Sequence, residues 1–181
     1  MANLLPRTPA QDLVPVTHGT VTLSEIVPEA ITSLAALDGA VTSLAALGDA
    51  MAILPNPNRS TKLGETDFLW SGRNQALALG PAPASAAGIA MTDQSDAFAV
   101  LHLSGTDADA VLARLTPLNL DEIEPSHVAR SLLGHMNTLF HRVDPRTWQL
   151  LLFRSMAAHA VHDIDRAMRA VAARAALTHG T

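Results

Sequence analysis

The sequence predicts an α+β domain in which helices pack on antiparallel sheets, and three observations predict it. Short runs alternate between polar and apolar, β-branched residues. Longer stretches place apolar residues three and four apart. Segments rich in Pro, Gly and Asn separate the two kinds. At 181 residues and 48% hydrophobic, the chain suffices for one domain with a core, or two small lobes sharing one. Only 3% of residues are aromatic and Tyr is absent, so the core leans on Ala, Leu and Val. Such side chains bury little area each and leave apolar surface over for a partner.

The elements follow in order. Residues 1–18 contain Pro6, Pro9 and Pro15 without any period and read as an arm. "GTVTLSEI" (19–26) has strand alternation. The neighbouring decamers 32–41 and 42–51 match at seven of ten positions, which reads as a local duplication extending a helical region. Ile31, Leu34, Leu37, Val41, Leu44 and Leu47 supply its apolar stripe. Gly39 weakens its middle and leaves one bent helix or two short ones open. Residues 54–66 read as a loop, 67–80 as a β-hairpin turning around Gly72–Asn74, and 81–88 as a linker. "IAMTDQSDAFAVLHLSG" predicts a long or interrupted strand. Ala99, Leu101 and Leu103 share one of its faces, with Phe98, Val100 and His102 on the other. A helix then starts at "GTDADAVLARL", with Thr106 as its cap and Asp109 in the third helical position. Residues 128–143 are strand-like at their ends, Asp144-Pro145 turns, 147–153 returns as a strand, and a helix closes the chain from Met156 to Ala176. The order gives two similar split units, β-α-β-β and β-α-β-β-α. It divides the chain into an arm (1–18), a first lobe (19–80), a linker (81–88) and a second lobe (89–181).

Charge and composition exclude several chemistries. The net charge is -5, Lys62 is the only lysine, and no basic run offers a nucleic-acid footprint. Without Cys there are no disulfides, thiolate zinc sites or thiol nucleophiles. No apolar run reaches signal-peptide or membrane-spanning length, so a soluble, cytoplasmic protein without membrane partners is expected.

The densest cluster of polar candidates is His159, His162, Asp163 and Asp165, all on the closing helix. At about 100° per residue, Ala157, Val161, Ile164, Met168, Val171 and Ala175 form its core stripe. His159, Asp163 and Arg166 fall roughly opposite, with His162 and Arg169 on the flank. Nothing resembles HExxH, so this side is expected to face water or a partner, with no metal. Asp93 and Asp96 are a candidate acid–base pair, against which stands a role as turn and edge ligands. "SGTDAD" precedes a helix, but Asp107 and Asp109 already occupy the positive end that an anion would need. Arg130 and Arg154, each beside a Ser, can clamp a carboxylate of a neighbouring subunit or ligand; an internal salt bridge is the plainer account.

Four stretches resemble a known family: "LWSGRNQALALGP" (69–81), "TDQSDAFAVLHLSGTDADAVLARLTPLNL" (92–120), "ARSLLGH" (129–135) and "LLLFRSMAAHAVHDI" (150–164). In order and spacing they are similar to the gamma subunit of heterotetrameric sarcosine oxidase. The chain departs from it in having Phe98 where Trp is frequent, Thr116 where Cys is frequent, and the doubled TSLAAL. The resemblance implies a fold related to the glycine-cleavage aminomethyltransferases. It implies an accessory subunit without catalytic residues, assembling with alpha, beta and delta subunits that oxidatively demethylate sarcosine. FAD, FMN, NAD, tetrahydrofolate and zinc are then expected in those partner subunits and none in this chain. His162 stands where the family often has His; with Arg130 and Arg154 it is the expected subunit interface. Two alternatives are a subunit of an N-methylglutamate dehydrogenase complex and a stand-alone folate-binding, aminomethyltransferase-like protein.

Overall fold

Eleven strands and two helices make up the computed structural model, which describes residues 7–37, 54–85 and 88–179. In chain order they are β1 (Val16–His18), β2 (Val21–Ile26), β3 (Ala30–Ala36), β4 (Ser60–Leu63), β5 (Thr66–Gly72), β6 (Gln75–Gly80), β7 (Ile89–Asp93) and β8 (Phe98–Gly105). There follow α1 (Ala108–Leu112), β9 (Val128–Leu133), β10 (Met136–Asp144), β11 (Thr147–Phe153) and α2 (Ala157–His179). The strands form a six-stranded sheet, β1-β2-β8-β11-β10-β9, and a five-stranded sheet, β4-β5-β6-β3-β7. Every strand pair is antiparallel, so the fold is α+β as expected.

Alternation decides the layers. In β8, Leu101 and Leu103 face the helices, whereas Val100 faces the second sheet. On the helix side Phe140, Trp148, Leu150 and Leu152 meet Val111 and Leu112 of α1. From α2, Ala160, Val161, Ile164 and Met168 enter the same cluster, so the expected stripe is the buried one. Ala10 and Val14 pack there too, pinning the arm against the domain. Between the sheets, Val100, Val128, Leu139 and Leu151 face Ile31, Leu69, Leu77 and Leu79. A smaller cluster of Leu34, Phe68, Ala78 and Ile89 covers the outer face of the five-stranded sheet.

Three local expectations are corrected. Ile31 and Leu34 lie on β3 and not on a helix, and Leu37 stands exposed just after it; the rest of the expected helical region, residues 38–51, falls outside the described residues. β3 runs between β6 and β7 with Ile31, Thr32 and Leu34 all buried. A strand covered on both faces needs no alternation, and its apolar residues then mimic helical spacing. The second correction concerns α1, where Asp107 and not Thr106 holds the cap position, without a side-chain capping bond. Asp107 instead accepts from Thr20 Oγ1 at 2.6 Å, and Asp109 is the second helical residue. Thirdly, β4 (Ser60–Leu63) pairs with β5 inside the expected loop 54–66, whereas the strand after the linker takes the expected interrupted form, with β7 and β8 in different sheets. Ser95 breaks it, its N and Oγ both donating to Asp93 Oδ1, at 2.9 and 2.6 Å. Strand pairing also crosses residues 81–88 in both sheets, through β2–β8 and β3–β7.

The two sheets are tied at one edge. Arg59 bridges His127, Ser60 N donates to Ser126 O at 2.9 Å, and Val128 N donates to Asn58 O at 2.9 Å. Beneath this seam the buried His141 spans the layers, with Ser60 Oγ 2.9 Å from Nε2 and Gln149 Oε1 2.9 Å from Nδ1. Burial holds its pKa below the usual 6.5, outweighing the Gln149 bond and the Asp67 charge. In the neutral ring one nitrogen donates and the other accepts, which suits a contact on each side of the ring. Burial lowers the pKa of His102 and His127 as well. In all three the folded pKa lies below the unfolded value, so the unfolded chain binds more protons in that window. Their contribution is complete above 6.5 and declines as pH falls below it. Urea midpoints are therefore expected to drop between about pH 7 and about pH 5, and His141→Gln to flatten part of that slope. A flat profile across the window contradicts this.

Candidate functional site

The apolar layer between the sheets does not fill their whole length. Past Leu77, Leu139 and Leu151 it opens into a cleft of about 590 Å³. At this end the residues facing the opposite sheet change from aliphatic to polar. Ser71 and Gln75 come from the β5–β6 hairpin, and Arg130 and Asn137 from the β9–β10 hairpin. Register sets the arrangement: Leu132 stands opposite Asn137, Arg130 opposite Leu139, and Phe153 opposite Phe98. The two Phe rings stack with centroids 5.7 Å apart and planes 17° from parallel. Leu132 is 40% and Phe153 54% exposed, so the cleft keeps an apolar mouth.

Arg130 supplies the one charge among the described residues lining this cleft. Its Nη1 donates to Ser71 O at 2.8 Å, fixing the guanidinium between the two hairpins with its other N–H groups available. Size, mixed lining and a positioned cation make the cleft fit to receive an apolar group carrying a carboxylate.

Arg154 borders the other side of Phe153. Its Nη2 donates to the Arg7 carbonyl and its Nη1 lies 3.9 Å from Asp96, so it ties the arm to the domain. The plainer reading, an internal contact, describes Arg154 as it stands. Phe153 lines the cleft together with Arg130 and the neighbouring recess together with Arg154, whereas His162 is exposed on α2 and lines neither.

The closing-helix cluster divides into two local pairings. Asp163 lies 3.5 Å from His159 Nε2 and 2.9 Å from Arg166 Nη2. Asp165 takes His18 at 2.7 Å and Arg169 at 2.9 Å. Burial pushes the Asp165 pKa up, yet the His18 and Arg169 hydrogen bonds and charges outweigh it and leave the pKa lowered. His159 meets His135 edge to face, with ring centroids 5.0 Å apart. Among the described residues no three His or carboxylate groups converge as a metal site requires. Asp93 and Asp96 do not form an acid–base pair. Asp93 is engaged by Ser95, whose hydroxyl and backbone bonds lower its pKa, and Asp96 faces Arg154. At "SGTDAD", Gly105 N donates to Arg146 O at 2.9 Å, and a Cβ on Gly105 would collide with the Thr20 carbonyl. That glycine permits a close backbone approach, and its N–H is already used.

One polar network escaped the reading of the sequence. Trp148 Nε1 donates to Asp109 Oδ1 at 2.7 Å, and Arg142 Nη2 donates to Asp109 Oδ2 at 2.8 Å. Arg142 further donates to the carbonyls of Leu120, Ile123 and Pro145, at 3.1, 3.0 and 2.8 Å. Its guanidinium lies 5.0 Å from the Trp148 ring centre. The network binds α1 and the following connection to the sheet. Its sequence trace was Arg142 on the last strand-like turn of a core strand, six residues before Trp148.

No helix among the described residues is long and apolar enough to cross a membrane. No family model and no curated protein matches the sequence. A solved chain of "Heterotetrameric Sarcosine Oxidase from Corynebacterium sp. U-96 in complex with pyrrole 2-carboxylate" is similar in structure, with a TM-score of 0.74 and 23% identity. The match covers 93% of this chain and 97% of that one, so the two share a fold over most of their lengths.

Proposed function

We propose that this protein is the accessory, gamma-type subunit of a sarcosine oxidase complex, binding and stabilising the flavin-containing subunits. The observation that supports it is the near-complete mutual coverage with one chain of a heterotetrameric sarcosine oxidase. The reading assigns FAD, FMN, NAD, tetrahydrofolate and zinc to the alpha, beta and delta partners. The small, aromatic-poor core and the exposed Leu132, Phe153 and Met156 fit a chain that completes its burial in an assembly.

Co-expression tests this. The chain alone is expected to aggregate, and co-expression with the large flavoprotein subunits to yield a complex absorbing in the flavin range. A well-behaved monomer that never co-elutes with flavoprotein sinks the reading. Turnover of sarcosine against N-methylglutamate by the assembled complex separates it from an N-methylglutamate dehydrogenase complex.

A specific observation favours a second reading, folate binding. The cleft of about 590 Å³ converges Ser71, Gln75, Arg130 and Asn137 on an aromatic wall. Titration of the pure chain with a reduced folate distinguishes it, since tight saturable binding belongs to this reading alone.

A further inference from the structure

We propose that the inter-sheet cleft is the docking groove for an extended, apolar segment of a partner subunit carrying an acidic side chain. This rests on the accessory-subunit reading and specifies where and how the partner is held. Three observations converge on that occupant.

The first is charge. Among the described residues lining the cleft, Arg130 is the sole ionisable one, and none of them is a carboxylate. Its Nη1–Ser71 bond of 2.8 Å fixes the guanidinium and leaves the fork's remaining donors for an incoming carboxylate. The second is backbone. Among the described residues β9 is the outer strand of its sheet, and only its start is covered, where Val128 N donates to Asn58 O at 2.9 Å. Two-residue alternation turns the backbone groups of Arg130 and Leu132 to that same side, beyond the seam at Arg59 and His127. The ladder ends there, and a strand laid along it would take up those groups. The third is the apolar mouth, where Leu132 at 40% and Phe153 at 54% exposure border an unfinished layer continuous with Val100, Leu139 and Leu151. An inserted segment with alternating apolar residues continues that layer, and its carboxylate reaches Arg130.

The test uses the full chain co-expressed with its flavoprotein subunits and isolated through a tag on a large subunit. Arg130→Glu and Leu132→Lys are each expected to lower the co-isolated chain about tenfold or more, while Arg130→Lys retains part of the binding. Hydrogen exchange on the wild-type complex gives an arm free of folding defects. The amides of Arg130 and Leu132 are expected to slow at least about tenfold on assembly. Unchanged exchange at both amides, or undiminished assembly by both variants, overturns the groove and leaves the accessory function standing. A wild-type chain that never assembles overturns the accessory function itself. Arg130-dependent binding of a reduced folate by the assembled complex shows a cleft open to a small molecule and likewise overturns the docking proposal.

Discussion

Trp148→Ala is expected to be the most damaging single substitution, lowering stability by about 3–5 kcal/mol. The indole is fully buried in the helix-side core, among Leu101, Leu103 and Leu150. Its removal leaves a cavity and also strips Asp109 of the 2.7 Å bond from Nε1 and Arg142 of the ring beneath its guanidinium. A domain whose total stability is about 5–15 kcal/mol would then be marginal or unfolded. Urea denaturation followed by far-UV circular dichroism reads the loss directly. Trp148→Phe separates the two contributions. It keeps most of the volume and gives up the hydrogen bond, and about 1–2 kcal/mol is expected. A Trp148→Ala variant with an unchanged midpoint would mean that the helix-side core does not hold the fold.

Asp109→Ala comes next, at about 2–3 kcal/mol. Arg142 is only 11% exposed, and without Asp109 its charge keeps its carbonyl partners and only the weaker, unbonded attraction of Asp144. The figure is set below that of a fully buried pair because Asp109 is itself 36% exposed and water offsets part of the loss. Asp109→Asn keeps one acceptor oxygen, for Trp148 or for Arg142, and loses the charge and the second acceptor, so it is expected to cost less than Asp109→Ala but more than half as much. Matched losses for Asp109→Ala and Asp109→Asn would show that charge, more than hydrogen bonding, holds the network.

Much of the fold was legible because alternation is a local property. β2, the β5–β6 hairpin, both faces of β8, β11 and the buried stripe of α2 follow from residues no more than a few positions apart. β3 was not legible, because it is covered on both sides and its Ile31–Leu34 spacing looks helical out of context. Thr106 was misread as a cap for a related reason. Local preference favoured it, but Thr20 engages Asp107 from the distant turn between β1 and β2, and the short α1 is held by Asp109 through the core network.

The candidate site divides the same way. Arg130, Arg154 and His162 could be named from neighbours and from resemblance, but their surroundings could not. Only the fold brings Arg130 against Ser71, 59 residues away, and Arg154 against Arg7, 147 residues away. It also separates His162 from both. The sequence by itself determined the α+β class, the amphipathic closing helix and the exclusion of thiol chemistry and of a basic footprint, all readable from composition and short-range periodicity. The tertiary structure alone decided that the two sheets meet at the start of the outer strand β9 and part further along it. That separation is a sum of long-range pairings, and it turns a lone arginine on an outer strand into the charged wall of a cleft.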